Sequence, residues 1–238
     1  MKFGWKQTIG LLAVIGALAA SPYYFPKIDL KIPTTVEELL DAGMEAQQKE
    51  NYFKARELFS RAIDKEPGNG EAYFLRGSAE LHLNYLDRAI KDFSRALQLD
   101  PSLVNAYFNR GAALAKKGLY KAAVTDFSKS LELRPNDVEA LRERGLARQN
   151  DGDRFGAIED FEKAIQLNEE YALAHLNLGL LQIEMNLVED GLDHLNLAVT
   201  KQPEYLENFK APTGCGPVWN QSTQEVVMES SSCSSAQD

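Results

Sequence analysis

Glycine returns at a fixed interval of 34 residues: Gly43, Gly77, Gly111, Gly145 and Gly179. Each falls within a run of helical apolar spacing, where glycine costs about 1 kcal/mol relative to alanine. Other positions keep the same phase. Ala55, Ala89, Ala123, Ala157 and Gly191 follow twelve residues later, and Phe59, Phe93, Phe127, Phe161 and Leu195 four beyond those. Ala62, Ala96, Ser130, Ala164 and Ala198 come three further on, and Pro67, Pro101, Pro135 and Pro203 close four of the five units. A constant period of this length marks an array in which each unit covers its neighbour's apolar face.

The spacing predicts an all-α array over 36–203, divided as 36–69, 70–103, 104–137, 138–171 and 172–205. Each unit splits into two helices at a turn marked by Asn84, Gly118, Gly152 or Asn186 in one shared place. Pro101 and Pro135 end the preceding helices because proline lacks the N–H and clashes with the turn before it. Ser102 and Asn136 stand just after them, where the next helix needs an N-cap oxygen. Glu169 takes the proline's place in the fourth unit, which predicts that its second helix runs on. Gly191 and Leu195 replace Ala and Phe in the fifth, which predicts the most easily frayed helix.

This pattern, with a large residue four before most of the glycines (Leu39, Tyr73, Tyr107, Leu141, and His175 in the fifth unit), resembles the tetratricopeptide repeat. The resemblance covers about seven-tenths of the chain. It implies a right-handed superhelical solenoid of five helix-turn-helix units. Gly43, Gly77, Gly111, Gly145 and Gly179 would lie against Ala89, Ala123 and Ala157 and their equivalents, where paired backbones approach. Phe93, Phe127 and Phe161 would wedge between units. The family binds partners on its concave face, lined by the first helices. The places concerned hold Phe74, Leu75, Asn105, Phe108, Asn109, Arg142, Glu143 and Asn177. The carboxylate clamp of chaperone-binding members needs Lys and Asn where Phe74 and Ser78 stand, and Lys and Arg where Glu139 and Glu143 stand. Two carboxylates there would repel an acidic tail.

Charge narrows the partner. The chain carries a formal −9, and residues 36–210 carry that same −9, because +3 at 1–35 cancels −3 at 211–238. An acidic array lacks the clustered cations that a phosphate backbone requires, so nucleic acid is not expected. The groove places hold Glu37, Asp41, Glu71, Glu139 and Glu143 against Arg142 alone. The expected partner is a protein or peptide segment with apolar anchors and basic or neutral flanks.

Outside the array, Lys2 and Lys6 precede an uncharged apolar run from Ile9 to Ala20, with a small-x-small site at Ala17-Leu18-Ala19. Residues 1–20 therefore read as a cleaved signal peptide or a retained anchor, both of which place the array outside the compartment of synthesis or tether it to a membrane. Residues 21–35 hold three prolines and read as a linker, and 206–238 as a disordered tail containing both cysteines, Cys215 and Cys233. Two cysteines eighteen apart form no metal-ligand spacing. No phosphate loop, H-E-x-x-H or G-x-S-x-G is present, and His82, His175 and His194 are expected on different helical faces. The reading is a non-catalytic interaction scaffold without cofactor or metal, suited to helping assemble a membrane complex. An accessory or structural subunit of an enzyme complex, with no ligand groove of its own, is the alternative.

Overall fold

Five residues in one phase, Glu50, Asn84, Gly118, Gly152 and Asn186, take positive φ values of 58°, 60°, 76°, 93° and 67°. A left-handed residue at this point reverses the chain between two helices, and glycine or asparagine pays least for it. The computed structural model describes residues 33–205, 217–220, 223 and 225–228. The described residues form ten helices in five pairs: α1 (Val36–Gln48) and α2 (Tyr52–Lys65), α3 (Gly70–His82) and α4 (Leu86–Leu99), α5 (Val104–Lys116) and α6 (Tyr120–Leu133), α7 (Val138–Asp151) and α8 (Arg154–Leu167), α9 (Ala172–Glu184) and α10 (Val188–Lys201). Each pair packs on the next, and each first helix also touches the following first helix. The second helices all stop in one phase, α8 included. Its C-terminal turn is made without proline by Asn168, whose side chain accepts from the Glu170 N–H at 3.0 Å.

Helix starts differ from the sequence expectation. Asn51, Asn69, Asp137 and Asp153 cap α2, α3, α7 and α8, accepting from the backbone three residues on. Ser102 and Asn136 do not cap. Ser102 donates instead to Asp100, and α5 begins after Leu103 with no side-chain cap.

The repeating glycines make room for a ring, not for the small residue of the second helix. A Cβ on Gly145, Gly77 or Gly111 would lie 2.6, 2.8 or 3.0 Å from the Phe161, Phe93 or Phe127 ring of the same unit, and one on Gly43 closer still to Phe59. These phenylalanines are fully buried. Each also meets apolar residues of the next first helix, such as Ala106 for Phe93 and Leu178 for Phe161, so one side chain both closes its own pair and joins it to the next. In the fifth unit, where Leu195 is smaller, the backbones do approach: a Cβ on Gly179 would meet the Gly191 carbonyl oxygen at 2.7 Å. Ala89, Ala123 and Ala157 are buried beside these rings.

The recurrent charges form a buried ladder. Arg76, Arg110 and Arg144 each fork onto the carboxylate sixteen residues later, with Nε donating to Asp92, Asp126 and Asp160 at 2.7, 2.7 and 2.9 Å. The other arm donates to Ser60, Ser94 or Ser128 on the preceding unit's second helix, at 2.9–3.3 Å. Each arginine thus ties three helices and two units. Hydrogen bonding to the aspartate raises the pKa of Arg76 and Arg110 above the ordinary guanidinium value. The i,i+3 pairs Asp92/Arg95 and Asp126/Lys129 are not the partners the aspartates take. The carboxylates point inward, while Arg95 pairs with Gln98 and Lys129 with Glu132 on the surface.

Unit five breaks the ladder, with Leu178 in the arginine's place and His194 in the aspartate's. His194 meets His175, Nδ1 to Nδ1 at 3.0 Å, so these two histidines share a site rather than separate faces. The other His175 nitrogen, Nε2, donates to the Glu169 carbonyl at 3.2 Å, which leaves Nδ1 as the acceptor for a proton carried by His194.

The tail is not wholly disordered. Strands β1 (Pro217–Asn220) and β2 (Glu225–Met228) pair antiparallel, and β2 lies on α10. Val226 is buried against Leu195 and Leu176, and Asn196 bonds both its N–H (2.6 Å) and its carbonyl (3.4 Å). A strand docked this way satisfies backbone groups and covers the apolar face that the last unit would otherwise expose, countering the fraying expected of α10. The apolar N-terminal segment, the linker up to residue 32, Cys215 and Cys233 lie outside the described residues. Among the described residues, no helix is long and apolar enough to cross a membrane.

Candidate functional site

The groove candidates lie on the first helices of units two to five. Phe74 and Phe108 are half-buried and rest on the core rings of their own units, Phe74 on Phe93 at 6.0 Å between centroids and Phe108 edge-on to Phe127 at 5.6 Å. Asn109 lies between units and donates to Ser78 at 3.5 Å, a long bond that a better acceptor would displace. Asn105 is exposed and accepts from Arg134 at 3.3 Å.

Arg142 is the groove candidate most engaged by its own fold. Its Nε donates to the Tyr171 hydroxyl at 2.9 Å and its fork meets Glu143. Burial pushes Tyr171 above the usual phenol value. Arg142 and Glu143 therefore neutralise each other at the fourth unit, a pairing that adjacent sequence positions gave no reason to expect. Asn177 contributes a buried Nδ2 with no hydrogen-bond partner. On the first helix of unit one, the buried Gln47 Oε1 has no partner either.

The first helix of unit one borders a hollow. Val36, Leu40 and Met44 line this space of about 400 Å³ with Glu37, Asp41, Glu66, Asn69 and Glu71 around them. Met44 is 42% exposed, and among the described residues no cation lines the hollow. Beyond Met44 a second hollow, of about 420 Å³, continues past Leu75, Gln47 and Tyr52 to His82, whose ring stacks on Tyr52. Leu75 thus belongs with unit one's apolar floor, whereas Phe74 and Phe108 form a separate patch one unit on. No group of three His, Cys, Asp or Glu side chains gathers as a metal site among the described residues.

A stacked array of helix pairs with an accessible face of apolar and polar side chains defines a helical-repeat scaffold of the protein-interaction class. The chain is a tetratricopeptide-repeat protein: family models described as tetratricopeptide repeat match residues 40–104 and 104–137. Among solved structures, MamA from Desulfovibrio magneticus RS-1 superposes with a TM-score of 0.68 at 22% identity, over 71% of this chain and 96% of that one. Another MamA crystal structure gives 0.65 at 20% identity, over 75% and 97%. YrrB, described as a TPR protein with an unusual peptide-binding site, gives 0.64 at 21% identity, over 71% and 87%. At this identity the likeness concerns the fold. No curated protein matches the sequence.

Proposed function

We propose that the chain is a non-catalytic scaffold that captures an extended or helical protein segment along the first-helix face, reading apolar anchors flanked by basic residues. The observation that carries this is the unit-one hollow, where Val36, Leu40 and Met44 are ringed by carboxylates with no cation among them. Lys or Arg flanking an apolar anchor would meet Glu37, Asp41, Glu66 or Glu71, and the anchor would cover Met44. Phe74 and Phe108 offer a second anchor point, while Asn109 holds an amide for the segment's backbone. YrrB's peptide-binding site supports this reading through the shared fold. The N-terminal apolar run would export or tether the scaffold, which suits a helper in assembling membrane complexes.

The test uses two labelled peptides with the same leucine anchors, one flanked by lysines and one by glutamates, titrated against the full chain by fluorescence anisotropy. The lysine-flanked peptide should bind at least tenfold tighter at low salt, with the gap narrowing as salt rises. Asp41→Lys/Glu71→Lys should erase the preference, and Phe108→Ala or Asn109→Ala should weaken binding without lowering the melting temperature. Equal affinity for the two peptides would overturn the groove reading. For the N-terminus, mass spectrometry of the mature chain separates the fates: a start near Ala20 or Ser21 marks a cleaved signal, and intact Met1 in a carbonate-resistant membrane fraction marks an anchor.

A further inference from the structure

Every unit exposes one large apolar residue at the same edge, where its first helix turns into its second: Phe53, Tyr85, Leu119, Phe155 and Leu187. Their exposures run from 39% for Tyr85 to 74% for Phe155. In units two, three and five this residue occupies the N-cap itself, and the helix goes without a side-chain cap. An apolar residue there forgoes about 1 kcal/mol that Asn or Asp would supply. In units one and four the caps are Asn51 and Asp153, and an exposed phenylalanine appears two residues later instead. The apolar stripe persists whichever local solution the helix start adopts, and local stability does not explain that.

A second observation concerns charge. Among the second helices, α2 carries four basic and two acidic residues (net +2) and α4 three and two (+1). The series continues through α6 with two and two (0), α8 with two and three (−1) and α10 with one and three (−2). The first helices show no such order, at −4, −1, +2, 0 and −1. With the buried Asp92, Asp126 and Asp160 set aside, since the arginine ladder holds them, the surface series is +2, +2, +1, 0 and −2, so the basic end of one copy matches the acidic end of another laid in reverse, as an isologous twofold contact requires.

The geometry points to a second copy of this chain as the occupant of the stripe, with the two arrays lying edge to edge and antiparallel. The dyad passes at Leu119, so that Leu119 meets its own counterpart, Tyr85 faces the second copy's Phe155, and Phe53 faces the second copy's Leu187. The +2 helix of each copy then lies opposite the −2 helix of the other. Phe155 stands beside a hollow of about 520 Å³ bordered by Asp153, Arg154, Glu184 and Met185, two carboxylates against one guanidinium beside an apolar side chain. The opposing units one and two bring aromatic rings with guanidinium groups over them, Arg56 at 5.5 Å from the Phe53 centroid and Arg88 at 5.0 Å from that of Tyr85. Apolar contact supplies the area and the gradient sets the direction, leaving the first-helix face open in both copies.

Cysteine cross-linking of the full chain, with Cys215→Ser and Cys233→Ser, tests the arrangement. Leu119→Cys should link to itself under a short bismaleimide at least tenfold faster than Ser102→Cys on the opposite edge. Phe53→Cys should link to Leu187→Cys in a mixture but not to itself. In sedimentation, Glu189→Lys/Asp190→Lys should weaken dimerisation at least tenfold, and mixing it with Lys54→Glu/Arg56→Glu should restore a heterodimer. Linking at residue 119 no faster than at 102, dominant 53-to-53 linkage, or dimers untouched by either charge variant would each overturn the proposal.

Discussion

Gly111 is retained because a Phe127 ring occupies the space a side chain would need, and the tightness of that contact varies along the array. Alanine gains about 1 kcal/mol of helix propensity at such a place and loses about 1–3 kcal/mol if the ring must shift. Gly43→Ala should therefore destabilise most, Gly145→Ala and Gly77→Ala less, and Gly111→Ala least, as read from urea midpoints of the four variants. A larger loss for Gly111→Ala than for Gly43→Ala would contradict the ring-space account. The arginine ladder gives a sharper case. Asp126 is 4% exposed, so Arg110→Leu strands a buried carboxylate and should cost about 3–5 kcal/mol. Arg110→Leu/Asp126→Leu should recover most of that loss, as apolar replacement of buried pairs commonly does. A double variant no more stable than the single one would show that the pair itself, rather than the stranded charge, carries the energy.

The helix hairpin is the element, and its left-handed turn residue decides how cheaply it closes. Four units use Asn or Gly there, but unit one uses Glu50 at φ 58°. A non-glycine residue in that region costs roughly 1–2 kcal/mol, part of which glycine gives back as unfolded-chain entropy. Glu50→Gly should stabilise by up to about 1 kcal/mol, whereas Gly152→Ala, at φ 93°, should destabilise by about as much. Opposite shifts in midpoint would support this, and a destabilised Glu50→Gly would refute it. The four Asn and Gly turns were legible in sequence as residues sharing a phase. Glu50 was not, since nothing about glutamate signals a left-handed backbone. Helix starts were less legible: a serine after proline reads as a cap, yet Asp100 took the Ser102 hydroxyl and left the cap position to Leu103.

In a linear array stability is close to a sum of units and interfaces, so an end can open while the rest persists. The C-terminal end carries the His175–His194 pair, with Glu169, Glu170 and Lys201 around His175 and Asp190 and Asp193 beside His194. Burial, more than any neighbouring charge, holds both imidazoles below the ordinary histidine value of 6.5. The unfolded state therefore takes up protons first as pH falls. Stability is whole above pH 7 and declines through 6.5 by up to about 1.4 kcal/mol per pH unit for each imidazole. Amide exchange, corrected for its intrinsic rate, should show α9 and α10 losing protection between pH 7.5 and 5.5 while α3–α6 keep theirs. Leu178→Arg/His194→Asp, which restores the ladder of the inner units, should abolish the difference. Equal pH response along the array would rule out the histidine pair as its origin.

The sequence by itself determined the period, the helix count, the phase of the turns and the acidic character of the first-helix face, because each follows from a residue's local preference repeated at a fixed interval. A 34-residue register carries the same helical position into every unit, which is why the groove candidates fall on equivalent first helices. Only the tertiary structure decided which atoms those positions would meet. Arg76 and Asp92 are sixteen residues apart and His175 and His194 nineteen, and neither pairing is visible until two helices fold against each other. The same holds for the hairpin, whose Val226 finds its apolar surface thirty residues upstream on α10. Periodicity reports the surface a helix must bury, and the partner that buries it is chosen by packing in three dimensions.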